Sequence, residues 1–267
     1  MSKQPHTGSW MLKEPDLRRF LDEKHQQYNT PGFITGDPVS IPHLFTEPAD
    51  IEIAGFLTAT IAWGRRENIA RAGERLIKLM DSRPADFVRN ASAQEILSLG
   101  SFVYRTFNGL DTRVFIYSLR NLLQEYGSLE NAFMQPIHDH NFDIAFMISR
   151  FKRRFFNFND PGRSGKHIPD PLRNSAAKRI NMFLRWMARK DENGVDFGIW
   201  KNLSPSCLVC PLDLHSGNVA RKLGLLTRKQ NDWKAAMELT KSLCRFDPSD
   251  PVKYDYALFG LGWYEKF

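Results

Sequence analysis

An aspartate stands two residues before a histidine in the stretch CPLDLHSGNVARKLGLL, Cys210 to Leu226. Asp213 sits at the mouth of what reads as a helix starting near His215. One role for it is an N-cap that accepts a backbone N–H of that helix. The other is a catalytic carboxylate, held ionised and oriented by the helix dipole. The two roles are compatible. A second candidate is Lys178, at the head of AAKRINMFLRWMARK. On its own it reads as a solvated lysine; in a cleft beside other cations a lysine loses protons more readily and acts as an amine nucleophile. Cys207 and Cys210 form a Cys-x-x-Cys pair five residues ahead of His215, and Cys244 is the only other cysteine. Four zinc ligands are hard to assemble from that set, so no metal is expected and the thiols read as small, partly buried side chains.

Two basic stretches offer surfaces to an anion. RFKRRFF, Arg150 to Phe156, includes Arg153 and Arg154, and PGRSGKH, Pro161 to His167, includes Arg163 and Lys166. Each reads either as a solvated face or as a phosphate-contacting surface, with Phe155, Phe156 and Phe158 packing inward or stacking on bases. WGRRENI, Trp63 to Ile69, adds a basic turn with an aromatic at its edge.

The elements that must position these residues are helical. In DIEIAGFLTATIAWGRRENIARAGERLIKLM the apolar residues Ile53, Leu57, Ile61, Ile69, Leu76 and Leu79 recur at helical spacing, with Asp50 ahead as an N-cap. Ala54, Gly55, Ala59 and Ala62 permit close helix packing. DTRVFIYSLRNLLQEYG carries Val114, Tyr117, Leu119 and Leu122, with Asp111 in front and Gly127 behind. DIAFMISRFKRRFF continues the pattern. In AAKRINMFLRWMARK the residues Ile180, Phe183, Leu184 and Met187 form one stripe, and Lys178, Asn181 and Arg185 lie along another face. Further helices are expected from His215 to Leu223, Asn231 to Arg245 and Pro251 to about Gly260, the last opened by Asp250 and Pro251. Asn157 to Ser175 and DENGVDFGIWKNLSPSCLVCPLD read as loops. Strand signals are few, and the fold expected is all-α.

With 267 residues the chain suits one large domain or two coupled lobes. No apolar run approaches the ~20 residues a membrane helix needs, and MSKQPHTGSWMLKEPDL lacks the apolar centre of a signal peptide. A cytoplasmic protein with no membrane partner is expected. Three cysteines argue against a disulfide framework. The net charge of +7 and a pI near 9.3 favour polyanionic partners.

Together these segments resemble a known superfamily. PLDLHSGNVARKLGL resembles the segment of helix-hairpin-helix DNA glycosylases in which an Asp-x-His opens a helix, and in that superfamily the aspartate is catalytic. Lys178, three residues before an Asn in a short apolar helix, falls where the lyase-type members carry a Schiff-base lysine. DIEIAGFLTATIAWGRRENI resembles their early helix, and YDYALFGLG the late helix packed behind the active site. The chain also resembles, from about Phe33 to Gly262, a bacterial family described as a domain of unknown function; KRINMFLRWMARKDENGVDFGIW and LTRKQNDWKAAMELTKSLCRFDPSDPVKYDYALFGLG carry that likeness.

The resemblance implies a two-lobed helical glycosylase-like fold with a cleft between the lobes, formed by residues 33–267 with residues 1–32 packing on it. It implies a base-excision glycosylase and abasic-site lyase acting on a damaged base, such as an oxidised purine, through Lys178 and Asp213. Asn181 and Arg185 would line the pocket mouth, His215 would bond a phosphate or orient the carboxylate, and Trp63 and Trp186 are stacking candidates. Double-stranded damaged DNA is the expected partner, with RNA as the other nucleic acid to test. A binder that keeps the fold without catalysis is the alternative. Three departures stand out. The glycines of the hairpin are replaced by LRNSA, Leu172 to Ala176; those glycines let backbone amides approach a phosphate. Lys178 and Asp213 are 35 residues apart, an interval longer than in common bacterial members and resembling archaeal members specialised for oxidised guanine. No four-cysteine set follows the last helix, so no iron–sulfur cluster or other cofactor is expected.

Overall fold

The computed structural model describes residues 13–135, 143–157 and 161–267. The described chain is all-α apart from one hairpin of two-residue strands, β1 (Val103–Tyr104) and β2 (Phe107–Asn108), paired Val103 with Asn108 and Tyr104 with Phe107. Its helices are α1 (Glu14–Tyr28), α2 (Pro31–Ile34), α3 (Pro48–Thr60), α4 (Arg66–Lys78), α5 (Pro84–Asn90), α6 (Ala93–Ser98), α7 (Gly109–Tyr126), α8 (Leu129–Met134), α9 (Ile144–Phe155), α10 (Lys178–Ala188), α11 (Leu214–Lys222), α12 (Trp233–Cys244) and α13 (Tyr254–Trp263). Among the described residues no helix is long and apolar enough to cross a membrane.

Two helices lack an outward face. In α3 every residue from Ile51 to Thr60 is buried, and α13 is nearly as enclosed. A helix apolar all round belongs in the interior, and a single core cluster runs from Leu17 to Leu261 around these two. Gly55 is where α3 meets α10: a methyl there would stand 3.1 Å from Met187 Cε and 3.5 Å from the Phe183 ring. The stripe Ile180, Phe183, Leu184 and Met187 of α10 is buried as its spacing predicts. Gly260 of α13 leaves room for the Tyr28 ring of α1, which packs along α13 and joins it through Lys24–Glu265 and Tyr254–Asp22. The one carboxylate in the α3 core, Glu52, accepts N–H groups of Leu129 and Glu130 at the start of α8 and of the Trp200 indole. A buried carboxylate is thereby hydrogen-bonded.

Several local expectations are corrected. Asp50 is not a cap, because Pro48 starts the helix and Glu47 precedes it; the Asp50 carboxylate instead accepts the Ala85 N–H in the first turn of α5. Asp111 lies in the first turn of α7 and completes a capping box with Asn108. Tyr117 turns to solvent, and Phe115 takes the core position. The Asp250–Pro251 start opens a short 3-10 turn, Pro251–Lys253, before α13 begins at Tyr254. Phe155 and Phe156 are both buried against Phe115, which settles them as packing residues; Phe158 lies outside the described residues.

Candidate active site

Lys178 is the first residue of α10 and Asp213 the N-cap of α11. Their side chains meet, with Lys178 Nζ 3.2 Å from Asp213 Oδ2, and they remain 33% and 24% exposed. The two oxygens of Asp213 divide the work. Oδ1 accepts the Ser216 N–H at 2.9 Å while Ser216 Oγ accepts the Asp213 N–H, a capping box. Oδ2 faces the lysine. The cap fixes the rotamer that presents the carboxylate. Burial pushes the Asp213 carboxyl up, but the Lys178 ammonium and the Ser216 N–H outweigh it and hold it below the ordinary carboxylate range.

The pair lies on the wall of a cavity of about 380 Å³. Its other walls come from the turn between α3 and α4, with Trp63 and Arg66, from Phe33 and Asp37, and from Tyr256, Phe259 and Trp263 of α13. Arg66 is wedged between two rings, its guanidinium 5.1 Å from the Phe33 centroid and 5.0 Å from Phe259, and is anchored to Asp37 at 2.8 Å. Phe259 and Trp263 stack. The cavity lining therefore mixes aromatic rings with charged side chains, and Lys178 and Asp213 are its ammonium–carboxylate pair. A cavity of that size, with that lining, suits a single planar organic ring with polar groups at its edge.

Behind the pair, α10 and its C-cap residue carry two buried arginines in a carboxylate network. Arg185 pairs with Asp196 at 3.3 Å and with Asp255, and lies 4.2 Å over the Tyr256 ring. Arg189 pairs with Asp196 at 3.0 Å, Asp250 at 2.8 Å and Asp191. Asp255 also lines the cavity. Burial pushes its carboxyl up to about 6; Arg185 opposes this, and the Asp213 charge adds to it.

The predicted site residues fall into three groups. Lys178, Asp213, Arg185, His215 and Trp63 all line the cavity. Arg185, however, is buried and committed to Asp196 and Asp255. His215 is exposed and stands edge-on to Trp263 at 5.7 Å. Asn181 lies elsewhere, because its amide turns back to donate to the Ala176 carbonyl within the helix start, and it is buried. Lys166 lies beside the cavity, in an adjoining hollow that also touches Trp63. Arg163 is tied to the Thr106 carbonyl and Asp111. Arg154 donates to the Ala132 carbonyl over the Tyr126 ring, while Arg153 on α9 points to solvent. Trp186 is wholly buried and is not part of the cavity lining. Cys210 is buried, and among the described residues no group of His, Cys, Asp and Glu could hold a metal.

The approach to Lys178 shows how the chain turns without glycine. Asn174 (φ 62°) and Ala177 (φ 48°) both adopt the left-handed conformation, Asn174 ending the 3-10 turn Pro171–Arg173 and Ala177 preceding α10. Asn tolerates this region; for Ala it costs roughly 1–2 kcal/mol. Ser175 forms an isolated bridge with Asp232, and the Asn174 side chain donates to the Asp232 carboxylate, so the turn is tied to the start of α12. Asp37, Arg66, Asp255, Phe259 and Trp263 were not singled out by sequence reasoning. Arg66, Asp255 and Phe259 fall within WGRRENI and YDYALFGLG, whereas Asp37 and Trp263 lie outside both.

The described chain, all-α but for one short hairpin, brings a lysine and a capping aspartate together on the wall of one cavity. Residues 37–264 match the family profile described as "Protein of unknown function (DUF2400)", and the chain belongs to that family. No curated protein and no solved structure matches the chain.

Proposed function

We propose that this chain is a base-excision DNA glycosylase with an associated lyase step, Lys178 the nucleophile and Asp213 its electrostatic partner. The observation that carries this is the contact of Lys178 Nζ with Asp213 Oδ2 at 3.2 Å on the wall of the cavity. The resemblance of both segments to helix-hairpin-helix glycosylases supports it, and the two-lobed arrangement with a cleft belongs to the same reading. A damaged base extruded from the stack would occupy the cavity. Lys178, once its ammonium has given a proton to solvent, bonds to C1′ of the sugar as the bond between C1′ and the base breaks. The base leaves with the electron pair and takes up a proton released by the new ammonium nitrogen. The sugar ring then opens to an imine. Loss of a C2′ proton to solvent and departure of the 3′ phosphate cleave the strand, and water releases Lys178. Asp213, ionised at neutral pH, stabilises the positive charge that develops on the sugar.

The test is single-turnover release of base from duplexes, each carrying one lesion and oxidised guanine among them, by wild type, Asp213→Asn and Lys178→Gln. Release by wild type, with loss of roughly a hundredfold or more in each variant, is expected. Release unaffected by Lys178→Gln contradicts the assignment. A nucleic-acid binder without catalysis is the second reading; it predicts duplex binding by wild type and Lys178→Gln alike with no base released from any lesion.

A further inference from the structure

Beside the cavity lies a second hollow of about 270 Å³, lined by Trp63, Thr106, Lys166, His167 and Arg179. Trp63 and Arg179 line both spaces and so form the wall between them. Arg179 follows Lys178 in the first turn of α10, so the nucleophile and this guanidinium are held by one rigid element. The guanidinium lies 4.8 Å over the Trp63 ring and donates one N–H to the Thr60 carbonyl at the end of α3.

Arg179 is the guanidinium on the cavity wall that has no counter-charge among the described residues; away from the cavity Arg154 and Arg120 are likewise held by carbonyls alone. Among the described residues Arg185, Arg189 and Arg66 each pair with an aspartate, whereas no carboxylate lies within ion-pair distance of Arg179. Burial alone pulls its pKa down, to about 10, so it remains cationic at neutral pH. A partly buried cation without a counter-charge is unfavourable. A carbonyl occupies one of five guanidinium donors. Lys166, exposed on the same hollow, is likewise free of any carboxylate among the described residues. Two cationic side chains lining one recess suit an anionic oxygen pair, and a guanidinium fork is matched to phosphate. The His167 ring, between Trp63 and Phe107, makes the recess floor rigid.

We propose that this hollow is a phosphodiester subsite, in which Arg179 and Lys166 hold a backbone phosphate flanking the nucleotide presented to Lys178. This rests on the glycosylase reading above and adds to it where the DNA backbone is gripped. With the hairpin glycines replaced, the grip comes from two side chains, one directly after the nucleophile and one in the 3-10 turn before it. Both are positioning residues: neither touches the reacting atoms.

The experiment uses the full chain and fluorescent duplexes carrying a tetrahydrofuran abasic analogue, with each flanking phosphate replaced in turn by a neutral methylphosphonate. Binding is read by anisotropy for wild type, Arg179→Gln and Lys166→Gln. At one position the methylphosphonate weakens wild type by about tenfold, the size of one charge-assisted phosphate contact. Arg179→Gln binds about tenfold more weakly to the parent duplex and no longer distinguishes the two duplexes. Lys166→Gln, on the surface and with no part in packing, shows a smaller loss at that same position and keeps the test valid if Arg179→Gln does not fold. Wild type indifferent to every flanking methylphosphonate, or variants that keep its sensitivity, overturns the subsite and leaves the glycosylase reading intact. Failure of wild type to bind any such duplex, with no base released in the assay above, overturns both.

Discussion

The two ends of α10 treat positive charge in opposite ways. At the C-terminal end Arg185 and Arg189 are enclosed by Asp196, Asp255, Asp250 and Asp191 and have no charge left to offer. At the N-terminal end Lys178 has one carboxylate and partial exposure, and Arg179 has none. The first arrangement fixes the helix against α13 and the loop before α11. The second leaves cations facing two hollows. One helix thus carries fully compensated charge at one end and less compensated charge at the other.

The largest effect expected is on the closed end. Asp196→Ala removes the one wholly buried carboxylate shared by both arginines and should lower stability by roughly 3–5 kcal/mol, the usual result of stripping a buried ion pair of one partner; urea denaturation measures it. Next comes Asp213→Asn at the open end. It should cost roughly a hundredfold to a thousandfold in turnover while leaving the melting temperature within a few degrees, because Asn caps about as well as Asp. A large stability loss with unchanged turnover would make Asp213 a cap and nothing more.

Asp255 spans the two ends, and its prediction concerns pH. Its carboxyl, raised to about 6 in the fold, binds its proton more tightly folded than unfolded. Its contribution to stability is therefore full below about pH 4, its unfolded value, and is lost as pH rises through about 6. Comparing melting temperatures of wild type and Asp255→Asn between pH 4 and 7 should show the difference between them changing across that window, and constant above it. His167 works in the other direction: burial lowers its pKa to about 4, so its contribution is present above about 6.5 and falls away on acidification. The smallest effect is that of Ser216→Ala, which removes half of the capping box and should cost about 0.5–1 kcal/mol, with a modest loss of turnover as Asp213 loses one restraint.

The sequence revealed α10 well and its polar faces poorly. The stripe Ile180, Phe183, Leu184 and Met187 is legible because helical spacing reports burial directly. Asn181 and Arg185 follow the same spacing on what reads as an exposed face, yet both are buried. Their partners explain why. Asp255 lies 70 residues from Arg185, and no local pattern announces so distant a carboxylate. Arg179 was passed over for the converse reason. Beside Lys178 it looks solvated, and only the Thr60 carbonyl, 119 residues earlier, and the Trp63 ring show that it is held in place. The expectation that Lys178 and Asp213 share one site rests on the resemblance and not on spacing, since periodicity carries no information across the 35 residues between them. The absent glycines were legible, but not their outcome: Asn174 and Ala177 supply the left-handed turns in their place.

The central claim is that Lys178 forms a covalent bond with substrate beside Asp213. Borohydride reduction in the presence of a duplex carrying an abasic site, followed by mass mapping of the cross-linked peptide, tests it most directly. The expected result is a trapped complex with wild type, mapped to Lys178 and absent with Lys178→Gln. A trapped complex that maps to another amine, or that persists in Lys178→Gln, contradicts it.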